Sequence, residues 1–448
     1  MRNFRNARKL QTESMGEADV LDIIEPVEES AAANIGEVDS DDQQVLAMLG
    51  EGEELVADTQ LVEELEEQVG EVVESGEDIT DAHAETLELV TESFTAHWFI
   101  DAPTRKMKFE SFRGTDYRGR TKLVHEGLGE TAKGAWNTFW EWVEGIIDSL
   151  KDTWKKYFGA GKAYQSFYDK QIPMVDKLGA VKADAKVKVG YQKHFTIDGK
   201  FDLAESLSLV TNMPSAAKKL VDWANKRCEA STELVKVSFS VEEGRIFDSV
   251  KRSIDGLAEG KDAAFGKKIN RKLAPLGPKG SGEEQSIYAL PGNSYIQQSD
   301  WMEDLGAEKD TPLKIKMSAL RFISDAGAVS EPGESEKTED PIAAAKIKEV
   351  LLKLKPIADA LSKIETEHGK IRESLKKLME ESKSKASKPD SDDKAANKAA
   401  KKAAKRVSRE AVLSARHSVL AVTNVYKTVG AGIIAMTKAH MAAYEKAA

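Results

Sequence analysis

The sequence has little cysteine, proline or aromatic side chain, and each shortage excludes a class of protein. A single cysteine among 448 residues, Cys228, excludes an internal disulfide framework. The 12 prolines and 7% aromatic residues, beside 31% charged residues, suit long helices better than a β-sandwich. No apolar run approaches the roughly 18 residues of a membrane-spanning helix. The basic residues 1–9 are not followed by the apolar stretch of a secretory signal.

Motifs that carry chemistry are also missing. The seven histidines show no H-x-x-x-H or similar metal-ligand spacing. Residues 277–282 are rich in glycine, but they lack the spacing of a phosphate-binding loop and a preceding strand. The G-x-S-x-G elbow of a serine hydrolase does not occur. We therefore expect a protein that is not an enzyme, with no catalytic residues, no metal site and no cofactor.

Charge is abundant, but its two signs are separated along the chain. Residues 1–93 hold 27 Asp and Glu against 4 Lys and Arg, a net charge of −23. Residues 94–448 hold 49 against 61, a net charge of +12, so the total of −11 conceals a basic body. Separation on this scale predicts an acidic segment attached to a body that meets anionic partners.

The distribution of apolar residues predicts a mainly α fold. Acidic residues dominate the start, and its apolar islands are too small to offset the entropy of ordering the chain, so we expect residues 10–80 to be disordered or only transiently helical. The stretch from Glu51 to Val73 is a candidate for a solvated helix that forms on binding a partner. A helical body with a small β-hairpin insertion follows, and a long antiparallel helical hairpin ends the chain. The predicted segments are an acidic, disordered, propeptide-like segment at 1–77, an aromatic-rich helical module at 78–180, a mixed α module with a short β-hairpin at 181–325, a linker at 326–340 and the helical hairpin at 341–448.

One predicted helix carries a continuous face of large apolar residues. They recur at steps of three and four positions: Trp136, Phe139, Trp140, Val143, Ile146, Ile147, Leu150, Trp154 and Tyr157. A membrane-surface helix would need a strongly basic opposite face, whereas the intervening residues are mixed in sign. Packing in a core or against a partner helix is therefore the favoured interpretation.

Two short stretches show the alternation of β-strands. Residues 186–191 and 195–197 are predicted strands, and Asp198 and Gly199 form a turn before a returning strand at Phe201. Residues 313–317 form a further short strand candidate.

Two apolar seams of heptad type occupy the C-terminal segment. One runs from Ile347 to Leu378 and the other from Val412 to His440, in alternating steps of three and four residues. The turn-rich residues 387–393 separate them, which predicts an antiparallel hairpin with coiled-coil packing. Pro356 is expected to bend the first helix without necessarily ending it.

An Ala- and Lys-rich tract, residues 394–406, resembles the tails of histone-like proteins. A helix-prone string of cations can neutralise phosphates without reading base sequence. A solvated helix explains the composition equally well, because Ala and Lys both favour helix and three Asp residues lie at 390–393. The candidate phosphate contacts are Lys394, Lys398, Lys401, Lys402, Lys405 and Arg406.

Ser75, Gly76 and Glu77 form a small-x-Glu triplet where the acidic segment meets the predicted body. Cleavage there would remove exposed, disordered chain, which is what proteases accept. The same pattern recurs at residues 231–233, 281–283 and 408–410, where folding would have to shield it.

An acidic N-terminal segment, a small-x-Glu triplet at its end and a basic helical remainder together resemble internal head proteins of giant phiKZ-like tailed bacteriophages. The resemblance covers the overall plan and no long motif. In such phages, inner-body and head-core proteins are processed by a prohead protease at small-x-Glu sites before DNA fills the capsid. The resemblance implies a virion structural protein of the capsid interior, with Ser75, Gly76 and Glu77 as the propeptide boundary.

The resemblance also implies partners and a place. The partners are other virion head proteins, the prohead protease and packaged DNA bound without sequence specificity; the places are the capsid interior and, during assembly, the host cytoplasm. A cut after Glu77 would leave 61 Lys and Arg against 54 Asp and Glu, a net charge of +7. The alternative is a helical adaptor or membrane-surface scaffold protein that uses the acidic segment as a docking arm.

Overall fold

A computed structural model describes residues 27–75, 87, 94, 117–238, 266–278, 280–308, 311–324, 337–386 and 395–446. Helices dominate these residues, small sheets accompany them and a long helix lies near the C-terminus, which confirms the mainly α fold. The chain divides into two compact units. Of the described residues, the first unit contains 44–145 and the second contains 27–43 and 146–446.

The elements have the following bounds. The α-helices are α1 (Val27–Ser75), α2 (Tyr117–Val175), α3 (Leu203–Ser238), α4 (Ala344–Leu351), α5 (Leu354–Ser362), α6 (Ile364–Ala386) and α7 (Ala395–Met441). The strands are β1 (Leu178–Val181), β2 (Val187–Lys188), β3 (Thr196–Ile197), β4 (Lys200–Phe201), β5 (Lys267–Ile269), β6 (Glu284–Leu290), β7 (Ser294–Glu308), β8 (Thr311–Ser324), β9 (Thr338–Glu339) and β10 (Tyr444–Lys446).

In the first unit, α1 and α2 run antiparallel. Gly52 of α1 lies against the Trp142 indole of α2, and Gly70 lies against His125. From Gly52 to Gly70 the residue number on α1 rises by 18, whereas from Trp142 to His125 the number of the contacted residue on α2 falls by 17. The two helices therefore run in opposite directions. Glycine at these contacts lets the helices approach closely, because a side chain at residue 52 would overlap the indole ring.

Residues 27–75 of the acidic segment form helix α1, whereas the sequence predicted no stable structure there. Among the described side chains of that helix, Leu49, Leu55, Val56, Val62 and Val69 are buried, whereas Leu61 and Val73 are exposed. Packing against a second helix provides the apolar burial that the isolated segment lacks. Residues 1–26 lie outside the described part of the chain.

The aromatic face of α2 is buried along its whole length, which confirms the core interpretation. Each of the nine residues that form it is at most 4% exposed. In the first unit Trp136, Phe139 and Trp140 form an aromatic cluster, with ring centroids 4.9 to 5.6 Å apart. Such pairs add about 1 kcal/mol each beyond the area they bury.

In the second unit, α3 is the common partner of α6 and α7. The Ser231 hydroxyl of α3 donates to the Val407 carbonyl of α7 at 3.4 Å. On the other side, the Ser374 hydroxyl of α6 donates to the Asn225 side chain at 3.0 Å. The predicted C-terminal helices therefore exist, but both pack mainly on α3 and they make few contacts with each other.

The first arm of the predicted hairpin is divided into α4, α5 and α6 rather than bent. Helix α4 ends at Leu351, and α5 begins at Leu354, so that Pro356 lies in its first turn. Proline has no N–H to bond the carbonyl four residues earlier, and its ring clashes with that carbonyl. The break therefore precedes the proline.

The β structure is more extensive than the sequence predicted. Residues 196–201 form the predicted hairpin, with Asp198 and Gly199 at positive φ in its turn. The predicted strand at 186–191 is reduced to β2, and Gly190–Phe195 form a 3-10 helix instead. The candidate at 313–317 belongs to β8, which is part of an antiparallel sheet of order β5-β6-β7-β8.

This sheet packs on α7 through specific hydrogen bonds. The backbone N–H of Leu320 donates to the Ser414 hydroxyl at 3.1 Å, and that of Phe322 donates to His417 Nδ1 at 3.2 Å. Among the described residues, Lys401–Met441 is long and apolar enough to cross a membrane, contrary to the sequence-based expectation of no such run. Burial within the protein covers 83% of that apolar window, which accounts for its composition.

Candidate functional site

The candidate processing site begins at the last residue of helix α1. Ser75 is exposed, and its hydroxyl donates to the Val72 carbonyl at 2.9 Å. Gly76 and Glu77 lie outside the described residues. The structure therefore places the first residue of the triplet at an accessible helix end.

Two of the other small-x-Glu triplets are held inside helices. Ser408 and Arg409 are at most 1% exposed, and Glu410 is 8% exposed. Ser231 and Thr232 are equally buried on α3. A protease needs several residues of accessible, extended chain, so these triplets are shielded in the folded protein.

In the third triplet, residues 281–283, the Glu283 carboxylate accepts hydrogen bonds from the neighbouring loop. Burial opposes ionisation of Glu283, but hydrogen bonds from the Ser299 hydroxyl and from the backbone N–H groups of Gly277 and Leu276 lower its pKa overall. The Glu283 carboxylate thus occupies the N–H groups of the glycine-rich loop. Backbone N–H groups of this kind could otherwise donate to an anion.

The Ala- and Lys-rich tract forms the first turns of α7. Lys394 lies outside the described residues, and Lys398 is on the helix although its side chain is not described. Lys401, Lys402, Lys405 and Arg406 are half-buried, whereas the alanines between them are fully buried. The structure therefore brings the candidate phosphate contacts together along one helix whose alanine side faces the core.

Arg406 of this tract is paired with a carboxylate. Its Nε lies 2.5 Å from Glu303 Oε1 on β7, and Trp301 Nε1 donates to the second Glu303 oxygen at 3.2 Å. Burial raises the pKa of Glu303, against the opposing charges of Arg406 and Lys402. Charge from the tract thus already opposes the effect of burial on this carboxylate.

Sequence inspection missed the carboxylates and arginines that join the sheet to α7 and α3. Arg321 of β8 lies 3.1 Å from Glu410 of α7, and both are nearly buried. Arg227 of α3 stacks on Trp223 at 4.9 Å, and burial lowers its pKa to about 10 despite the nearby Glu410. These residues could have been found in the sequence as charged residues at otherwise apolar positions of a strand or helix, because charged residues at buried positions are usually paired.

Cys228 is fully buried, and burial raises its pKa to about 12. A thiol with that pKa stays protonated at neutral pH and is a poor nucleophile. Among the described residues there is no group of three or more His, Cys, Asp or Glu that could hold a metal ion.

His440 belongs to a buried network at the end of α7. The Tyr191 hydroxyl contacts both His440 Nε2, at 3.1 Å, and the Glu339 carboxylate. The backbone N–H of Ile342 donates to His440 Nδ1 at 3.4 Å. Burial lowers the pKa of His440 although Glu339 acts in the opposite direction. The network ties three distant segments together and is structural.

A family comparison identifies what this helical body is. The model of the phiKZ-like phage internal head proteins matches residues 39–446 and so covers most of both units. The chain belongs to that family. No curated protein and no solved structure matches it.

Membership confirms the resemblance that the plan of the sequence suggested. An internal head protein is a structural component of the phage head, lies inside it and associates with other head components. The matched region includes most of α1 and the triplet Ser75 to Glu77. It also includes the whole Ala- and Lys-rich tract.

Proposed function

We propose that this internal head protein has a purely structural role inside the phage capsid, and that its acidic N-terminal segment is removed while the head matures. The family match over residues 39–446 is the observation that carries the role. The closely packed helices and the inert Cys228 are consistent with a protein that performs no catalysis. Host cytoplasm is the place of synthesis and assembly in this proposal.

Cleavage after Glu77 by a prohead protease is supported by the position of the triplet. Ser75 is exposed at the end of α1, whereas the triplets on α3 and α7 lie within packed helices, where Ser231, Thr232 and residues 408–410 are buried and Glu233 alone is exposed. Cleavage would change the net charge of the chain from −11 to +7. It would also separate α1 from α2, so the face of α2 around Trp142 would need a new covering within the head.

Weak, non-specific association with packaged DNA follows from the same change of charge. A surplus of cations attracts duplex DNA through release of its counterions, without base recognition. Before cleavage, the acidic segment would oppose this attraction. In the proposal the outward lysines of the Ala- and Lys-rich tract contribute, while Arg406 contributes less because it is paired with Glu303.

Protease protection tests the interior location directly. Purified heads are treated with trypsin before and after they are opened by osmotic shock, and this chain and the major capsid protein are quantified by mass spectrometry. The proposal predicts that this chain survives in intact heads and is digested in opened heads. Digestion in intact heads, or absence of the chain from heads, would contradict it.

A substitution at the processing site tests the cleavage separately. In phage carrying Glu77→Gln, we expect the full-length chain to persist in heads, because the residue before the scissile bond is changed. Glu71→Gln, at an exposed position of α1, is the matched control and should be processed normally. Normal processing of Glu77→Gln would show that the cut lies elsewhere.

A further inference from the structure

Among the described residues, a concentration of exposed cations lies at the edge of the four-stranded sheet. Lys267, Lys268, Arg271 and Lys272 are all exposed, and residues 266–278 contain no Asp or Glu. We call these four side chains the basic edge. Strand β5, which carries the first two, is the terminal strand in the sheet order β5-β6-β7-β8. The basic edge therefore lies along one side of the sheet.

The surrounding structure holds this edge in place. Lys267 pairs in register with Ala289 of β6, and Leu273 exchanges two hydrogen bonds with the Gln285 side chain. The Arg271 guanidinium lies 4.6 Å from the centre of the buried Tyr295 ring. The edge is thus supported by the core of the sheet and presents its cations on an ordered backbone.

Among the described residues, the nearest carboxylates make no ion pair with the three lysines of the basic edge. Glu283 is engaged by the backbone N–H groups of Leu276 and Gly277. Glu284 is the nearest exposed carboxylate of β6, and it makes no ion pair with Lys272 within the described structure. The tract on α7 differs in this respect, because its Arg406 is paired with Glu303.

We propose that the basic edge is a contact surface for the phosphate backbone of duplex DNA. The edge follows β6 from Ala289 to Gln285, a distance of about 13 Å at 3.3 Å per residue. Over that length each strand of B-form DNA carries about four phosphates, at one per 3.4 Å of axis. Four cations spread along such an edge match this array without reading sequence.

This surface rests on the proposed association with packaged DNA and specifies where it occurs. A competing explanation is that lysines on a terminal strand simply prevent sheets of two molecules from pairing. The two explanations differ in what is lost when the charges are removed. The first predicts weaker DNA binding, and the second predicts self-association with DNA binding unchanged.

The test is binding of the full chain to a 30-base-pair duplex, measured by fluorescence anisotropy between about 20 and 200 mM salt. The test variant carries Lys267→Gln, Lys268→Gln and Lys272→Gln, and it leaves Arg271 because that side chain packs on Tyr295. We expect the slope of log affinity against log salt to fall by about 2 to 3, and affinity at 50 mM salt to fall about tenfold or more.

The matched control carries Lys218→Gln, Lys219→Gln and Lys226→Gln, three exposed lysines of α3. It removes the same charge, so unchanged binding by the control supports a local surface. An equal loss in both variants would overturn the basic edge but leave non-specific DNA association intact. Self-association of the test variant with unchanged binding would also overturn it.

Failure of the full chain itself to bind the duplex would overturn both the basic edge and the proposed DNA association. The structural role inside the head would be unaffected by that result, because the protection experiment on heads tests it independently.

Discussion

At the scale of single residues, Gly52 shows how the acidic helix is held. It faces the Trp142 ring, and a Cβ at this position would overlap three atoms of that ring. Gly50, two residues earlier, has no neighbour within 4 Å and is exposed. Replacing each glycine by alanine therefore separates the effect of helix-to-helix contact at Gly52 from the general preference of helices for alanine, which Gly50 reports alone.

We predict that Gly52→Ala lowers the free energy of unfolding by about 1 to 3 kcal/mol, because overpacking forces the two helices apart. Gly50→Ala should instead be neutral or stabilise the helix by up to about 1 kcal/mol. Chemical denaturation followed by tryptophan fluorescence measures both. Equal effects of the two substitutions would show that α1 does not pack on α2 as described.

His368 gives the second prediction at this scale. It is 1% exposed on α6, and burial lowers its pKa from 6.5 to about 4. The folded protein therefore binds fewer protons than the unfolded chain between these pH values. The contribution of neutral His368 to the free energy of unfolding is fully present above pH 6.5. It is lost as the pH falls toward 4, and the total loss is about 3 kcal/mol.

Replacing this side chain should reduce the pH dependence. His368→Leu removes the titrating group from the core, so the fall in unfolding free energy between pH 6.5 and 4 should be smaller than in the wild-type chain. Urea denaturation at several pH values measures it. An unchanged slope in the variant would mean that His368 is not buried in its neutral form.

At the scale of elements, helix packing decides which small-x-Glu triplets can be cut. Residues 231–233 and 408–410 lie within α3 and α7, whose facing sides are joined by the bond from Ser231 to the Val407 carbonyl. Opening either helix would expose a large part of the second unit. Protection of these triplets is therefore a property of the packed helices and not of their sequence.

We predict that the head protease cleaves synthetic peptides spanning residues 231–233 and 408–410 but leaves both sites intact in the folded chain. Peptide mapping by mass spectrometry after incubation measures each. Cleavage of the folded chain at Glu233 or Glu410 at the rate seen with peptides would contradict the shielding.

The elements also show what could be predicted from sequence. Strong helical periodicity predicted α2 and α7 correctly, because α2 has a long face that is buried along its length and α7 is buried on nearly every side from residue 407 to 437. The hairpin at 196–201 was also predicted, since Asp198 and Gly199 suit a turn with positive φ. The local sequence pattern was sufficient to predict these elements because their periodicity or turn residues are visible within the segment itself.

Elements that depend on distant partners were not predicted. Helix α1 looked disordered because its stabilising surface is supplied by α2, which is distant in sequence. Strands β6 and β7 were missed because polar residues such as Gln297 and Ser299 are buried within them. Periodicity likewise identified the C-terminal helices, but it did not show that both of them pack on α3 rather than on each other.

The candidate site was predicted only in part, for a similar reason. Composition located the Ala- and Lys-rich tract and the triplet at Ser75 to Glu77. It gave no sign that Arg406 would meet Glu303, or that the basic edge near Lys267 would be more exposed than the tract. Pairing between distant charges depends on the fold.

At the scale of the whole molecule, the separation of charge is the property that gives the chain its proposed behaviour. Residues 1–77 hold 22 of the carboxylates of the chain, and Gly52 of the acidic helix covers the Trp142 ring of α2. One cut at the end of that helix would therefore change two properties together, the sign of the net charge and the exposure of an apolar face. Both changes would favour contacts with DNA and with other head components.

The most direct test is the N-terminus and intact mass of the chain extracted from purified, DNA-filled heads. The account predicts a single form that begins at Asp78, because cleavage follows Glu77. A chain from filled heads that still begins near Met1 would contradict removal of the acidic segment and the change of charge that depends on it.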